Sequence, residues 1–164
     1  MLPEIRRILY ATDLGPNSVY AFGYAVRLAK LTGAEIHILH VLEPLSEDAV
    51  VTLEAYILDD RKRHEILDER NERAQTRLAE RQQRFWSGLS KEDQEIRDQI
   101  KSIEVSEAHV AEAILQKAAE HNCDLIVIGG HEKGISHSFL GSIAKSVLRR
   151  ARIPTLTVPI SSED

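Results

Sequence analysis

Apolar residues along this chain alternate between short unbroken runs and longer stretches at helical spacing. Residues Arg7 to Thr12 form the first run, closed by Asp13 and the turn-forming Gly15-Pro16-Asn17. Asn17 or Ser18 then caps a helix whose Ala21, Ala25, Leu28 and Ala29 share one face until Gly33 stops it. A second run spans Ile36 to Leu42 and ends at Pro44. Residues from about 50 to 86 are strongly charged, yet Leu67, Ala74, Leu78 and Phe85 fall within about 20° of one line on a helix. The pattern predicts one long helix with a buried stripe and a solvated Arg/Glu face, broken at Ser87-Gly88-Leu89-Ser90.

The second half repeats the alternation. A short strand is predicted near Ile103-Glu104-Val105, then a helix carrying Val110, Ile114 and Ala118 on one side. Asp124 to Ile128 reads as a strand buried on both faces. Leu140, Ile143, Ala144, Val147, Leu148 and Ala151 form a stripe at helical spacing, and Pro154 opens a final strand, Thr155 to Ile160. Neither an internal repeat nor an interdomain linker interrupts the chain, which is read as one domain over 1–164. Five strands alternating with four helices predict an α/β fold, an open parallel sheet with helices on both faces.

Composition narrows the function classes. A net charge of −5 argues against a nucleic-acid or anionic-membrane surface, both of which want a basic footprint. No apolar run approaches the roughly 20 residues that span a bilayer. The N-terminal residues lack the h-region of a signal peptide, and the single cysteine, Cys123, fits a reducing compartment, so a cytoplasmic protein is expected. Cys123 opens an apolar strand and reads as a buried structural thiol.

The stretch Ile126 to Val147, IVIGGHEKGISHSFLGSIAKSV, carries the candidate chemistry. Glycines after a strand let backbone N–H groups approach a phosphate without a Cβ in the way. The helix that follows offers its first N–H groups and positive dipole end to the same anion, at Gly141, Ser142 and Ile143. The alternative is an awkward turn with no ligand. Asp13 likewise either faces a ligand or turns the chain with Asn17. His37 and His40 lie on one strand at odd spacing and point to opposite faces, so they do not chelate together. His131 and His137 share a loop that reads as solvated rather than as a metal site. No serine has a base at a spacing that suggests a nucleophile, so no catalytic residue and no resident metal are assigned.

Four stretches, RRILYATD, HILHVLEP, CDLIVIGGH and FLGSIAKSVLRRARIPTLTVP, together resemble the universal stress protein family over nearly the whole chain. The resemblance implies an adenine nucleotide alpha-hydrolase-like fold with strand order 3-2-1-4-5. That order makes the winding reverse between the first and fourth strands, and ligands of open α/β sheets bind beyond such a reversal. Resemblance assigns Asp13 and Val41 to the adenosine end of ATP and Gly129 to the ribose and first phosphate. It assigns Gly141, Ser142 and Ile143 to the outer phosphates. The implied protein is a stress-response or signalling module that binds ATP, with Mg²⁺ as an accompanying cation, rather than an enzyme; slow ATP hydrolysis stays open. Enzymes of related fold carry an SGGxDS loop or an HIGH motif, and neither occurs here.

One departure matters. ATP-binding members carry Gly, two residues, Gly, nine residues, then Gly with Ser or Thr. Counting from Gly129, the second glycine position is Glu132, and only eight residues separate it from Gly141. A carboxylate about 4 Å from a phosphate costs about 1 to 4 kcal/mol. Gly130 and Gly134 offer other bare backbone, Lys133 a further cation, and Glu132 itself could hold a divalent ion. The alternative is a dimeric interaction protein with a degenerate pocket. The terminal strand is an edge in the implied order, and the family pairs it with its copy, so a homodimer held partly through Leu156 and Val158 is expected, beside a protein partner that the sequence does not identify.

Overall fold

Five parallel strands form one sheet in the order β3-β2-β1-β4-β5, in a computed structural model that describes residues 1–130 and 140–160. The strands are β1 (Arg7–Thr12), β2 (Glu35–Leu42), β3 (Ile100–Glu107), β4 (Leu125–Gly129) and β5 (Thr155–Val158). β1, β2 and β4 are the strands whose sequences read as unbroken apolar runs, and they are central because both of their faces are buried. β3 and β5 are the edges. β3 runs three residues earlier and two later than its apolar centre suggests, since an edge strand alternates half-buried with exposed positions and hides from a search for continuous runs.

Helices cover both faces. On one side α1 (Ser18–Thr32) and α3 (Asp60–Ser87) enclose Ile8, Tyr10, Phe22, Leu78 and Trp86. On the other, α5 (Val110–Glu120) and α6 (Ser142–Arg150) enclose Leu9, Leu39, Ile114, Ile126 and Val147. Phe22 sits at the centre of the first layer, with ring centroids 4.9 Å from Tyr10, 4.6 Å from Phe85 and 5.8 Å from Trp86. Gly33 ends α1 as expected: it takes a left-handed φ of 72° and donates its N–H to the Ala29 carbonyl at 2.8 Å.

The β2–β3 crossover is the main correction to the sequence reading. It holds α2 (Glu47–Tyr56), then α3, the short α4 (Lys91–Gln94) and a 3-10 turn over Glu95–Gln99, in place of one long helix. The break falls at Ile57–Asp59, where Ile57 is extended and Asp59 caps α3 by accepting the Arg61 N–H at 2.9 Å. The buried stripe of α3 is Ala74, Leu78, Gln82 and Trp86; Leu67 and Phe85 are half-buried at its margin. Gln82 is inside because its Oε1 accepts the Trp86 indole N–H at 3.2 Å. Cys123 is buried, and burial pushes its thiol up to about 11, which leaves it unreactive at neutral pH. Among the described residues no helix is long and apolar enough to cross a membrane.

His37 and His40 do point to opposite faces, and His37 heads a titratable cluster. Its ring stacks on His121 with centroids 4.1 Å apart, and its Nδ1 lies 2.7 Å from the Ser102 hydroxyl. His121 Nε2 meets Glu104 at 2.7 Å, and Lys117 meets the other oxygen of that carboxylate at 2.9 Å. Burial, reinforced by the neighbouring His121, holds His37 below the ordinary histidine value of 6.5. The unfolded chain therefore takes up the proton first as pH falls. Stability contributed by a neutral His37 is present above about pH 6.5 and is lost as pH drops through the folded-state value. Urea midpoints measured from about pH 7.5 down to about pH 5 should fall less steeply for His37→Gln than for the wild type. Identical slopes would remove His37 from the acid sensitivity of the fold.

Candidate functional site

Everything at the carboxyl edge of the sheet follows from how β1 leaves it. The Leu14 N–H, which would continue the ladder with β2, turns back to Thr12 Oγ1 at 3.0 Å. The next amide, Gly15 N–H, donates to Asp13 Oδ1 at 2.7 Å, so Asp13 does turn the chain, although with Gly15 rather than Asn17. Leu14 between them has φ 58°, a left-handed conformation that costs a non-glycine residue about 1–2 kcal/mol. Its side chain is only 3% exposed in the core, and that burial offsets the strain. Gly15 suits the turn for a different reason: a Cβ there would stand 2.7 Å from Asp13 Oδ1 and displace it.

Three further side chains fix this loop. Tyr10 donates its hydroxyl to the Ser18 carbonyl at 2.6 Å, and burial raises its pKa far enough to keep it protonated. His40, on β2, bonds the Thr12 carbonyl at 2.8 Å; a carbonyl only accepts, so Nδ1 carries the proton. Arg81, from α3, donates to the carbonyls of Leu14 at 2.9 Å and Gly15 at 3.0 Å and to Ser18 Oγ at 3.2 Å. Asn17 occupies the N-cap position of α1, but its side chain makes no cap. Its amide instead donates to Pro159 O at 3.3 Å and Gly130 O at 3.5 Å, tying α1 to the ends of β4 and β5.

A cleft of about 420 Å³ opens where β1 departs, between the ends of β2 and β4. Every expected site residue within the described part of the chain lines it: Asp13, Val41, Gly129, Gly130, Gly141, Ser142 and Ile143. Glu132, His131, Lys133, Gly134 and His137 lie outside the described residues. Leu39, Val110, Ile114 and Ile128 give the cleft an apolar floor, and Glu43 adds a second carboxylate beside Asp13. The α6 end is polar in the opposite sense. The N–H groups of Ser142, Ile143 and Ala144 precede the first intrahelical bond, Lys145 N–H to Gly141 O at 3.1 Å, and Gly141 brings no side chain to cap them.

Val41 supplies the facing acceptor. Glu35 N–H bonds Arg6 O on β1, and Leu42 O accepts from Ala108 beyond β3, so odd residues of β2 turn their backbone groups toward β1. The β1–β2 ladder ends at Thr12 opposite His40. Val41 O therefore points to where β1 has already left. Among the described residues no group of three or more metal-ligating side chains converges. Sequence reasoning passed over Arg81 and Glu43 and weighed His40 only as a chelator. Val110 and Ile114 were visible only as the inward face of a helix.

An open parallel sheet of order 3-2-1-4-5 with a cleft at its reversal defines a doubly wound α/β protein, with the fold of the solved universal stress proteins. The chain belongs to the universal stress protein family, whose model matches residues 4–159. Universal stress protein G of Escherichia coli O157:H7 is 31% identical over 154 residues, covering 92% of this chain and 99% of the relative. Among solved structures, universal stress protein UspA from Lactobacillus plantarum shares the fold at 22% identity and TM-score 0.68, over 96% of this chain and 99% of that one. A universal stress protein crystallised in complex with cAMP aligns at 20% identity and TM-score 0.62, over 97% of this chain and 100% of that one.

The Asp13 turn is testable without any ligand. Gly15→Ala places a methyl group against Asp13 Oδ1, and the carboxylate should rotate off the residue-15 amide to make room. Urea denaturation should record a loss of about 0.5–1.5 kcal/mol, the worth of one hydrogen bond. Unchanged stability together with an unchanged residue-15 amide proton shift would mean that the turn does not rest on that bond.

Proposed function

We propose that the cleft binds an adenine nucleotide, ATP in the first instance, and that the protein is a nucleotide-responsive stress or signalling module rather than an enzyme. One juxtaposition carries the reading: the outward carbonyl of Val41 and the first N–H groups of α6 face the same cleft. An acceptor at one end suits the exocyclic amine of adenine, and a helix N-terminus at the other suits phosphate. The cleft volume falls within the range of small-molecule sites. Gly129 adds support, because a Cβ there would make only ordinary contacts with Ala21 and Asn17, so the protein's own packing does not demand a glycine. The cAMP complex of a relative is a precedent for adenine nucleotides on this fold.

A second reading, an interaction module whose cleft no longer takes nucleotide, has one observation in its favour. The charged residues on the described wall are both carboxylates, Asp13 and Glu43, with neither Lys nor Arg among them. Titration with ATP, with and without Mg²⁺, decides between the two. Binding at 100 times Kd should stabilise the fold by about 2.7 kcal/mol. Ser142→Ala, on an exposed position, should leave the ligand-free melting temperature unchanged and weaken ATP about tenfold. Glu132→Gly should strengthen ATP if the acid intrudes on the phosphates, and weaken only the Mg²⁺-dependent part if it holds the cation. No thermal shift with ATP, ADP or AMP and no copurified nucleotide would establish the second reading.

Assembly is part of the proposal. β5 is an edge strand, and its ladder partners fix which groups are outward: Pro154 O and Val158 O accept from Ile126 of β4 and from Gly130 just beyond it, so Thr155 and Thr157 turn their backbone groups outward. The expected anchoring through side chains needs revision. Val158 is 1% exposed within the chain's own core and Leu156 packs against the same cluster, so a second copy would meet the backbone edge instead. Thr157→Pro removes an outward N–H without touching the β4 ladder. Light scattering should give a dimer for the wild type and a monomer for Thr157→Pro; a wild-type monomer at micromolar concentration would discard the dimer.

A further inference from the structure

We infer that Arg81 is a positioning residue for the cleft, the point through which α3 holds the Thr12–Ser18 loop in shape and senses its occupancy. The inference rests on the nucleotide reading above and adds a route of regulation to it. α3 is densely charged, and other cations on it are spent locally: Arg61 pairs with Glu65 and Arg73 with Glu69, each one turn away on exposed surface. Arg81 reaches off its helix instead. Its two terminal nitrogens meet Leu14 O, Gly15 O and Ser18 Oγ at 2.9, 3.0 and 3.2 Å. A planar fork with fixed donor directions makes that three-point hold, which the point charge of a lysine does not reproduce.

The geometry of one peptide plane carries the effect to the cleft. In a trans peptide the C=O and the following N–H point in opposite directions. The Leu14–Gly15 peptide gives its oxygen to Arg81 and its N–H to Asp13 Oδ1 at 2.7 Å. Arg81 therefore orients, through that peptide, the carboxylate that lines the cleft. A cation on the oxygen also polarises the N–H and strengthens its bond to the acid. The loop needs such a brace because Leu14 is held at φ 58°, a conformation that persists only where the surroundings over-determine it.

α3 grips the other lip of the cleft with the same face. Arg70 precedes Arg81 by eleven residues, close to three full turns, and donates to the carbonyl of cleft-lining Glu43 while pairing with Glu107 at 3.4 Å. Leu78 and Ala74 between them are buried against the sheet, so this face cannot rotate away. Both lips are thus referred to one rigid helix. Anything that shifts α3 must shift the loop at Asp13, and by linkage a ligand that fixes the loop must restrain α3 by the same free energy.

The experiment uses the whole chain, with ATP as the probe and two readouts. Amide hydrogen exchange of Leu14 and Gly15 is measured without nucleotide, and ATP affinity by calorimetry. Arg81→Gln should speed exchange at both amides and weaken ATP, each by roughly tenfold, and Arg81→Lys should recover part of both. Trp86→Phe, which loses the Gln82 bond on the same helix, should lower the melting temperature yet leave loop exchange and affinity as in the wild type. Unchanged loop exchange in Arg81→Gln overturns the inference. So does faster exchange with unchanged affinity, or an affinity loss in Trp86→Phe equal to that in Arg81→Gln. If the wild type binds no ATP, the nucleotide reading falls and the coupling with it, while the exchange data alone decide whether Arg81 holds the loop.

Discussion

The departure of β1 from the sheet at Thr12 is the constraint on which the rest of the cleft depends. In a parallel sheet with right-handed crossovers, the chain can place helices on both faces only by reversing its winding direction once, and here the reversal is at β1. β2 runs two residues past the last residue of β1 and β4 ends level with it, so their final backbone groups flank a gap. Thr12 and Asp13 use their own side chains to satisfy the amides of Leu14 and Gly15, which keeps the chain from continuing the ladder and filling that gap. Tyr10, His40 and Arg81, from three different elements, lock the same short turn. So many convergent bonds on one loop, together with a left-handed leucine, mark a segment whose shape matters more than its own conformational preference.

Much of the fold could be read from the chain because its central strands are buried on both faces. Arg7–Thr12 and Leu125–Gly129 have no polar alternation to confuse with a helix, and α1 and α5 have clean apolar faces. Strand order was different: periodicity is blind to it, and only the likeness of four separated stretches to one family supplied 3-2-1-4-5. Once that order is given, the meeting of Asp13 with Gly129 and Gly141 follows. What stayed illegible depends on tertiary placement. Arg81 is one of many arginines on a charged helix, and nothing local distinguishes the one that faces a strained turn from those paired with a glutamate one turn away. The Ile57–Asp59 break was hidden for another reason: no glycine or proline falls there, and only the Asp59 cap marks a new start.

The distribution of charge around the cleft bears on the proposed ligand. Asp13 and Glu43 stand at the β1 and β2 side, and the N-terminus of α6 stands across from them without an acidic residue in its first turn. On the nucleotide reading these two ends divide the ligand between them. Carboxylates beside a nucleoside can accept from its hydroxyls and amine, so negative charge there is compatible with binding and sets the direction in which the molecule lies. Negative charge at the helix end is another matter, because it competes with phosphate for the same dipole and the same N–H groups. The sequence places Glu132 in the glycine-rich segment that leads into α6, at the position where the family's motif has its second glycine. On that reading the acids on the described wall weigh little against ATP, and the balance turns on the single carboxylate of Glu132.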